Sequence, residues 1–347
     1  MLSAQYILVS RLIILAESTA SAIICSIILV SVQRRKLFAA ILLSGLAIWL
    51  GACAHERRRH RYPAPIYQYH PTPGSRDINP GYEQAGGLLE SKSLYSKEYN
   101  EYIHYSILLP ASYSTSPGRD YPVVYWLHGA NGGARSLSPL ATRFRKAMGT
   151  GLMDEAVVVF PESKPLSMWV DSKNGGYPIE SLFIKSLVPH IQNSFRISKD
   201  RLQHYIAGFS MGGYGAARLG LKFPNIFGNI VMVGAGTLDV SLDNTPRASK
   251  STKEQVMRNI YGNDENYFYS SSPRSLAISS VARTKPKAKS SITIIVGTSD
   301  EVYDQNIRFS DYLKRAGYET RFIPLPGVHH SLKEYVRAAH VALFGSL

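Results

Sequence analysis

The chain has 347 residues, of which 45% are hydrophobic, and its 39 Lys and Arg against 25 Asp and Glu give a net charge of +14. An apolar share of this size is ordinary for globular proteins and excludes an intrinsically disordered chain. The length fits one large α/β domain of about 250 residues with further segments attached.

The positive charge is densest near the N-terminus, in Gln33–Lys36 and Arg57–Arg61, next to apolar segments. A domain that binds nucleic acid usually carries its basic residues along one face of the folded part. We therefore expect no nucleic-acid partner, and we interpret these runs as lying close to a membrane.

Residues 1–53 are predicted to be a hydrophobic targeting region. The apolar stretch Leu12–Val32 contains Glu17. One acidic residue near the centre of a membrane span costs about 2.5–3.5 kcal/mol, so this stretch is a weak transmembrane candidate. Gln33–Lys36 followed by the apolar Leu37–Leu50 is typical of a signal peptide. The small residues before Cys53 then resemble the lipobox of bacterial lipoproteins, in which that cysteine is lipidated.

We expect an exported protein, anchored in the outer membrane or facing the periplasm as a lipoprotein with lipidated Cys53. A plain signal peptide, giving a secreted protein, or a simple hydrophobic anchor stays open. Because a signal peptide should begin near its charges, we hypothesise that translation starts near Val32 and that residues 1–31 result from a mis-assigned start. Cys25 and Cys53 are the two cysteines of the sequence, so we expect no disulfide, cysteine nucleophile or thiolate metal site in the globular part.

Residues 54–90 are rich in Pro, Gly, Tyr and Arg and lack apolar periodicity, which predicts a linker. Residues 91–347 then alternate strands and helices, a pattern typical of a mostly parallel central sheet flanked by helices. Almost uniformly apolar runs, as expected of strands buried on both faces, occur at Val123–Leu127 and Ala156–Phe160. Further strands are predicted at Ile103–Leu109, Gln203–Phe209, Ile230–Val233, Ile292–Val296 and Thr320–Leu325, and helices at Ile179–Phe195, Met211–Phe223 and Asn306–Ala316.

A Gly-x-Ser-x-Gly motif, Gly208 to Gly212 around Ser210, lies between a predicted strand and a predicted helix. This pattern is typical of a nucleophile elbow, in which the serine occupies a strained turn and close backbone approach requires the glycines. The turn would place the Ser210 hydroxyl at the carboxyl edge of the sheet and at a helix N-terminus, where negative charge is favoured. A glycine-rich turn without chemistry is the alternative.

A serine hydroxyl becomes a nucleophile when a histidine takes its proton and a carboxylate orients that histidine. Asp300 follows one predicted strand and His330 follows the last one, so the chain order is Ser, acid, His, as this fold uses. We predict Ser210, Asp300 and His330 as the catalytic residues.

Neighbours in the same loops leave alternatives open. Glu301 and Asp304 are close enough in sequence to compete with Asp300. His329 competes with His330, because adjacent loop residues point in different directions and one of the two can face the serine.

The backbone N–H groups of an oxyanion hole are predicted in two places. Met211 immediately follows the nucleophile and should supply one amide. The glycine-rich loop His128–Gly133 follows the buried strand Val123–Leu127, and we expect the Ala130 amide to supply the other. Chemistry of this kind needs no cofactor or metal.

These stretches resemble the esterase D-like family of α/β hydrolases, which includes feruloyl and acetyl-xylan esterases, S-formylglutathione hydrolases and antigen 85 type acyltransferases. The resemblance extends from about Ser91 to the end of the chain, and it implies an α/β-hydrolase fold and cofactor-free acyl hydrolysis, or in some relatives acyl transfer. In relatives, a Gly-x-x-His-(Ser/Asn) pattern places the catalytic histidine fourth, which supports His330. The matching stretches are Tyr121–Gly129, Trp169–Asp171, Leu187–Ile191, Gly208–Gly215, Gly297–Asp300 and Gly327–Ser331.

The expected function is hydrolysis of a carboxylic ester, small or linked to a polysaccharide, through an acyl-enzyme on Ser210. An acyltransferase with the same residues and a catalytically silent surface lipoprotein stay open. The long segment Gly234–Ser280 is expected to form a wall of the substrate pocket. For Trp169 and Tyr214, substrate contact and core packing both stay open.

Overall fold

The computed structural model describes residues 89–131, 133–236, 238, 241–283 and 289–347. The predicted targeting region with Cys53 and nearly all of the predicted linker lie outside these residues. Within them, eight strands form one sheet in the order β1-β2-β4-β3-β5-β6-β7-β8. The strands are β1 Leu89–Ser96, β2 Glu101–Leu108, β3 Val123–Leu127, β4 Val157–Pro161, β5 His204–Phe209, β6 Asn229–Val233, β7 Ser291–Gly297 and β8 Thr320–Leu325.

Strands β3 to β8 run parallel to one another, whereas β1 and β2 form an antiparallel hairpin at one edge of the sheet. The predicted mostly parallel sheet flanked by helices is therefore confirmed. The helices are α1 Ala134–Gly149, α2 Ile179–Leu182, α3 Val188–Ser194, α4 Met211–Lys222, α5 Lys250–Asn259, α6 Glu265–Ser271, α7 Pro273–Arg283, α8 Tyr303–Arg315, α9 Leu332–Ala338 and α10 His340–Phe344.

The predicted helix Ile179–Phe195 is interrupted by a π-helical turn at Phe183–Leu187, which separates α2 from α3. In this turn the Val188 N–H bonds to the carbonyl of Phe183, five residues earlier. Pro189 follows at the start of α3 and has no N–H to continue the regular pattern. With the wider turn before it, the chain remains helical through Pro189 to Ser194.

Several elements were not predicted from the sequence patterns, among them strand β1 and helix α1. Strand β1 begins at Leu89, inside the predicted linker, and has half-buried and exposed side chains, a buried Ser96 at its end and no apolar run. Such a composition suits an edge strand, which has one hydrogen-bonded neighbour. Helix α1 contains Pro139, a residue that disfavours a helix prediction.

The core has two layers because successive residues of a strand point to opposite faces of the sheet. In β3, Val123, Tyr125 and Leu127 pack on one face, while Val124 and Trp126 pack on the other. All five are buried, and each large apolar side chain that is fully buried contributes about 1.5–3 kcal/mol. The uniformly apolar pattern of this strand therefore follows from its central place in the sheet.

The parallel register brings the ends of several strands to one edge. Leu127 of β3 pairs with Gly208 of β5, and Gly297 of β7 pairs with Leu325 of β8. The loops that follow these strands therefore leave the sheet at its carboxyl edge, where ligand sites of parallel sheets occur. In the part of the chain that the structure describes, no helix combines the length and apolar character needed to cross a membrane.

Candidate active site

Ser210 stands in the turn between β5 and α4 with φ 58° and ψ −117°. A positive φ at a residue other than glycine is strained, at a cost of about 1–3 kcal/mol, and persists where the surroundings hold it. A Cβ on Gly208 would overlap the Gly212 carbonyl, and a Cβ on Gly212 would overlap the Leu127 carbonyl. Both glycines are thus needed because β3, β5 and α4 come together here, as the Gly-x-Ser-x-Gly motif predicted.

Hydrogen bonds connect Ser210 to His330 and His330 to Asp300. His330 Nε2 lies 2.9 Å from Ser210 Oγ, and His330 Nδ1 lies 2.7 Å from Asp300 Oδ2. The serine follows β5, the aspartate follows β7, and the histidine lies between β8 and α9, so all three come from the carboxyl edge. We call this arrangement the triad.

The hydrogen-bond partners of His330 indicate which ring nitrogen carries the proton and which accepts a hydrogen bond. An ionised carboxylate accepts hydrogen bonds, so the Nδ1–H of His330 donates to Asp300 and Nε2 is left to accept from the Ser210 hydroxyl. Burial opposes ionisation of Asp300, but hydrogen bonds from His330, Tyr335 and the Val302 amide outweigh it and lower the pKa of this carboxyl. Asp300 is therefore ionised at neutral pH and stabilises the imidazolium that forms when His330 takes a proton.

Tyr335 of α9 is a member of the site that the sequence analysis missed. Its hydroxyl donates to Asp300 Oδ2 at 2.7 Å and accepts the Gly297 N–H at 2.8 Å. Burial raises the pKa of the Tyr335 phenol, so it remains protonated and able to donate. No local sequence signal predicted this contact, because the burial of Tyr335, which makes its hydroxyl need a partner, depends on how α9 packs on the sheet.

The residues that compete with Asp300 and His330 are exposed or have other partners. The His329 side chain is 71% exposed, and its backbone N–H donates to the Glu334 carboxylate at 3.0 Å. Glu301 forms an ion pair with Arg247 at 2.6 Å. Asp304 is exposed in the first turn of α8. The structure thus brings Asp300 and His330, rather than their neighbours, to Ser210.

The two predicted oxyanion amides belong to segments that lie next to Ser210. Met211 is the first residue of α4, so its N–H has no acceptor within the helix. The loop after β3 reaches Ser210 through Gly129, where an added Cβ would lie 3.5 Å from the Ser210 Cβ. Ala130 is the next residue of that loop and is half-buried.

Trp169 and Tyr214 lie in the core, so of the two alternatives left open by the sequence the structure favours core packing over substrate contact. Their side chains are 1% and 0% exposed. Trp169 Nε1 donates to the His128 carbonyl at 3.2 Å, and the Tyr214 hydroxyl lies 3.2 Å from that of Tyr261. Both rings thus pack beneath the site and present no surface to a ligand.

The segment Gly234–Ser280, predicted to wall the pocket, contains α5, α6 and most of α7 in its described residues. Arg247 of this segment reaches Glu301, the neighbour of Asp300. Asn306 of α8 donates to the Ala235 carbonyl at 2.7 Å. These contacts bring the segment beside the triad. Among the described residues, no cluster of three or more His, Cys, Asp or Glu side chains could hold a metal ion.

Solved structures with the same fold include a ferulic acid esterase that is 21% identical, with a TM-score of 0.60 over 75% of this chain and 98% of that protein. A likeness at this identity shows the fold, and it confirms the expected α/β-hydrolase architecture. Curated proteins that are similar in sequence include the following two. An esterase of Mycobacterium tuberculosis is 34% identical over 134 residues, which is 35% of this chain and 26% of that protein. An acetyl esterase of Caldicellulosiruptor saccharolyticus is 23% identical over 175 residues, 50% of this chain and 65% of that protein.

The alignments thus span about a quarter of the mycobacterial protein and under two thirds of the acetyl esterase. Residues 96–340 match the model of the family described as "Putative esterase". This match covers more than half of the chain and contains Ser210, Asp300 and His330. The chain therefore belongs to this esterase family.

Proposed function

We propose that the protein hydrolyses carboxylic esters through an acyl-enzyme on Ser210. The observation that carries this proposal is the hydrogen-bonded triad, in which His330 Nδ1 lies 2.7 Å from Asp300 Oδ2 and His330 Nε2 lies 2.9 Å from Ser210 Oγ. Membership in an esterase family supports the same reaction class.

Acylation begins when Ser210 Oγ attacks the ester carbonyl carbon and its proton passes to His330 Nε2. The carbonyl oxygen becomes an oxyanion, which the Met211 and Ala130 amides would stabilise; losing one such donor typically lowers the rate by about 10²–10³-fold. The imidazolium then gives its proton to the ester oxygen, the C–O bond breaks, and the alcohol leaves.

Deacylation repeats these steps with water in place of the serine. His330 takes a proton from water, the resulting hydroxide attacks the acyl carbon, and the proton returns to Ser210 Oγ as the acid leaves. Asp300 remains ionised throughout and holds the ring in place.

The experiment is reaction with a fluorophosphonate probe together with hydrolysis of p-nitrophenyl esters of different chain length. Wild-type protein should be labelled and should release p-nitrophenol, and Ser210→Ala should abolish both. A folded wild-type protein that shows neither activity would overturn the proposal and favour a silent surface protein.

Acyl transfer with the same triad differs in what attacks the acyl-enzyme, an acceptor alcohol rather than water. Product analysis in the presence and absence of acceptor alcohols separates the two. We expect free acid as the main product, with a small or polysaccharide-linked ester as substrate and no nucleic-acid partner.

We also propose that the protein is exported and anchored to a membrane by lipidation of Cys53. The signal-peptide pattern and the small residues before Cys53 support this. Metabolic labelling with an alkyne fatty acid should label the wild type, and Cys53→Ser should abolish the label. A labelled Cys53→Ser variant, or an unlabelled wild type, would contradict the anchor. Mass spectrometry of the unprocessed product would test a start near Val32.

A further inference from the structure

His128 is a buried histidine that the proposed reaction does not use. Its Nδ1 lies 2.7 Å from the Gly129 carbonyl oxygen, and its Nε2 lies 3.0 Å from the Ser163 backbone nitrogen. A carbonyl can only accept and an amide N–H can only donate, so Nδ1 carries the proton and Nε2 accepts. Burial lowers the pKa of the His128 imidazole, which favours this neutral form.

Three successive carbonyls of the loop after β3 each accept one hydrogen bond. Trp169 Nε1 donates to the His128 carbonyl at 3.2 Å. The His128 ring donates to the Gly129 carbonyl at 2.7 Å. The Leu166 N–H donates to the Ala130 carbonyl at 3.4 Å. A donor on each carbonyl fixes the plane of the peptide to which it belongs.

The direction of the Ala130 amide follows from the bond at Gly129. In a trans peptide, the C=O and the following N–H point in opposite directions. Because the Gly129 carbonyl points to the His128 ring, the Ala130 N–H is directed away from that ring. The same loop lies against the nucleophile, since a Cβ on Gly129 would be 3.5 Å from the Ser210 Cβ.

The donors that hold this loop are themselves fixed. The Trp169 ring packs so closely on Gly215 of α4 that any Cβ there would overlap it. The Trp169 carbonyl accepts from Arg218 Nη1 at 3.1 Å. Trp169 has φ 53°, a conformation that persists only where the surroundings hold it. His128 is thus positioned by Ser163 and by a rigid neighbour, with ring centroids 5.1 Å apart.

We propose that His128 is a positioning residue for the oxyanion hole, which holds the Ala130 amide in its donating direction through the Gly129 carbonyl. His128 touches no reacting atom and exchanges no proton in this role. If its donor is lost, the peptide is free to rotate and the hole loses one preorganised amide. This inference rests on the proposed ester hydrolysis.

The test compares His128→Phe with His128→Asn. Phenylalanine keeps the ring but removes both nitrogens, whereas the Asn side-chain amide can donate from close to the Nδ1 position. We expect His128→Phe to lower kcat by about 10²-fold with KM changed less than about threefold, because the lost interaction belongs to the transition state. His128→Asn should keep kcat within about tenfold of wild type.

His204→Phe is the matched control. His204 is also buried and also lies against a backbone carbonyl, that of Ser198 at 2.6 Å, but at the amino end of β5. This variant should lose thermal stability as His128→Phe does, without the loss of kcat. A merely structural role of His128 would make the two variants behave alike.

A folded His128→Phe variant with kcat within about threefold of wild type would overturn the positioning role. If that variant does not fold, His128→Gln replaces it, because the Gln amide reaches the Nε2 position rather than Nδ1. If His128→Asn and His128→Gln had equal kcat, a donor at the Nδ1 position would not matter, and the positioning role of His128 would be overturned. A wild type that neither hydrolyses esters nor reacts with fluorophosphonate would instead refute the proposed function.

Discussion

The hydroxyl of Tyr335 and the side chain of His330 donate to the same oxygen of Asp300, each at 2.7 Å. The carboxylate thus receives two side-chain donors on Oδ2 and the Val302 N–H on Oδ1 at 3.1 Å. These bonds orient the carboxylate before the histidine needs it. Tyr335 therefore connects the triad to α9 through its hydrogen bond to Asp300.

Replacing Tyr335 with Phe should lower kcat by about tenfold, because Asp300 loses one of the contacts that fix its orientation. The pKa of Asp300 should rise, since a hydrogen bond to its charged form is removed. The Gly297 N–H also loses its acceptor, so the free energy of unfolding should fall by about 1–3 kcal/mol. Steady-state kinetics and urea unfolding measure both effects.

Tyr318→Phe is the control for this variant. Tyr318 is buried near the amino end of β8 and donates to the Ala277 carbonyl at 3.3 Å. It should lose stability without loss of kcat. Equal kcat for Tyr335→Phe and wild type would show that Asp300 is held without the phenol.

The two adjacent histidines should respond in opposite ways to replacement. His330→Ala removes the base that faces Ser210, and we expect kcat to fall by at least about 10⁴-fold. His329→Ala removes an exposed ring beside Glu334 and should leave kcat within about twofold. Measuring kcat for ester hydrolysis with both purified variants tests this prediction. A larger loss of kcat in His329→Ala than in His330→Ala would identify His329 as the base instead.

Glu180 of α2 forms a buried ion pair with Arg218 of α4 and a second ion pair with the partly exposed Lys222. The side chains of Glu180 and Arg218 are 8% and 2% exposed. Removing one partner of a buried pair leaves the other charge without compensation, at a cost of about 3–5 kcal/mol. Glu180→Gln should therefore lower the free energy of unfolding by this amount in urea titrations.

The exposed ion pair between Glu301 and Arg247 is the matched control, because solvent screens it. Glu301→Gln should change the free energy of unfolding by about 0–1 kcal/mol. If Glu180→Gln were no more costly than Glu301→Gln, the buried pair would not stabilise the fold as we expect.

Stability should decline at acid pH. Burial works against the ionised forms of Glu180 and Asp300, but ion pairs and hydrogen bonds outweigh it, so both pKa values lie below the ordinary ones. The folded state then binds fewer protons than the unfolded state. Each group stabilises the fold above its unfolded pKa of about 4, and this contribution is lost as the pH falls through the lower folded pKa.

Thermal unfolding between pH 6 and pH 3 tests this dependence. The melting temperature of the wild type should fall steeply below about pH 4, whereas Glu180→Gln should start lower and fall less steeply. Parallel curves for the two proteins would show that Glu180 does not contribute to the acid transition.

Local sequence patterns were sufficient for much of the fold and for the location of the site. Strand β3 was predictable because a strand buried on both faces is apolar at every position. The turn at Ser210 was predictable because close backbone approach excludes side chains at Gly208 and Gly212. By contrast, edge strand β1 has a mixed composition that does not predict a strand. It is a strand because it pairs with β2 in the folded protein, rather than because of the β-propensity of its residues.

The sequence by itself determined the chain order of Ser210, Asp300 and His330 and the strand ends at which they stand, because these depend on residue type and local pattern. Tertiary structure decided which of two adjacent histidines meets the serine, since that depends on the path of one loop between β8 and α9. It also decided that Trp169 lies in the core and that Tyr335 reaches Asp300. Contacts between residues far apart in the chain depend on how helices pack on the sheet, and no local pattern encodes that packing.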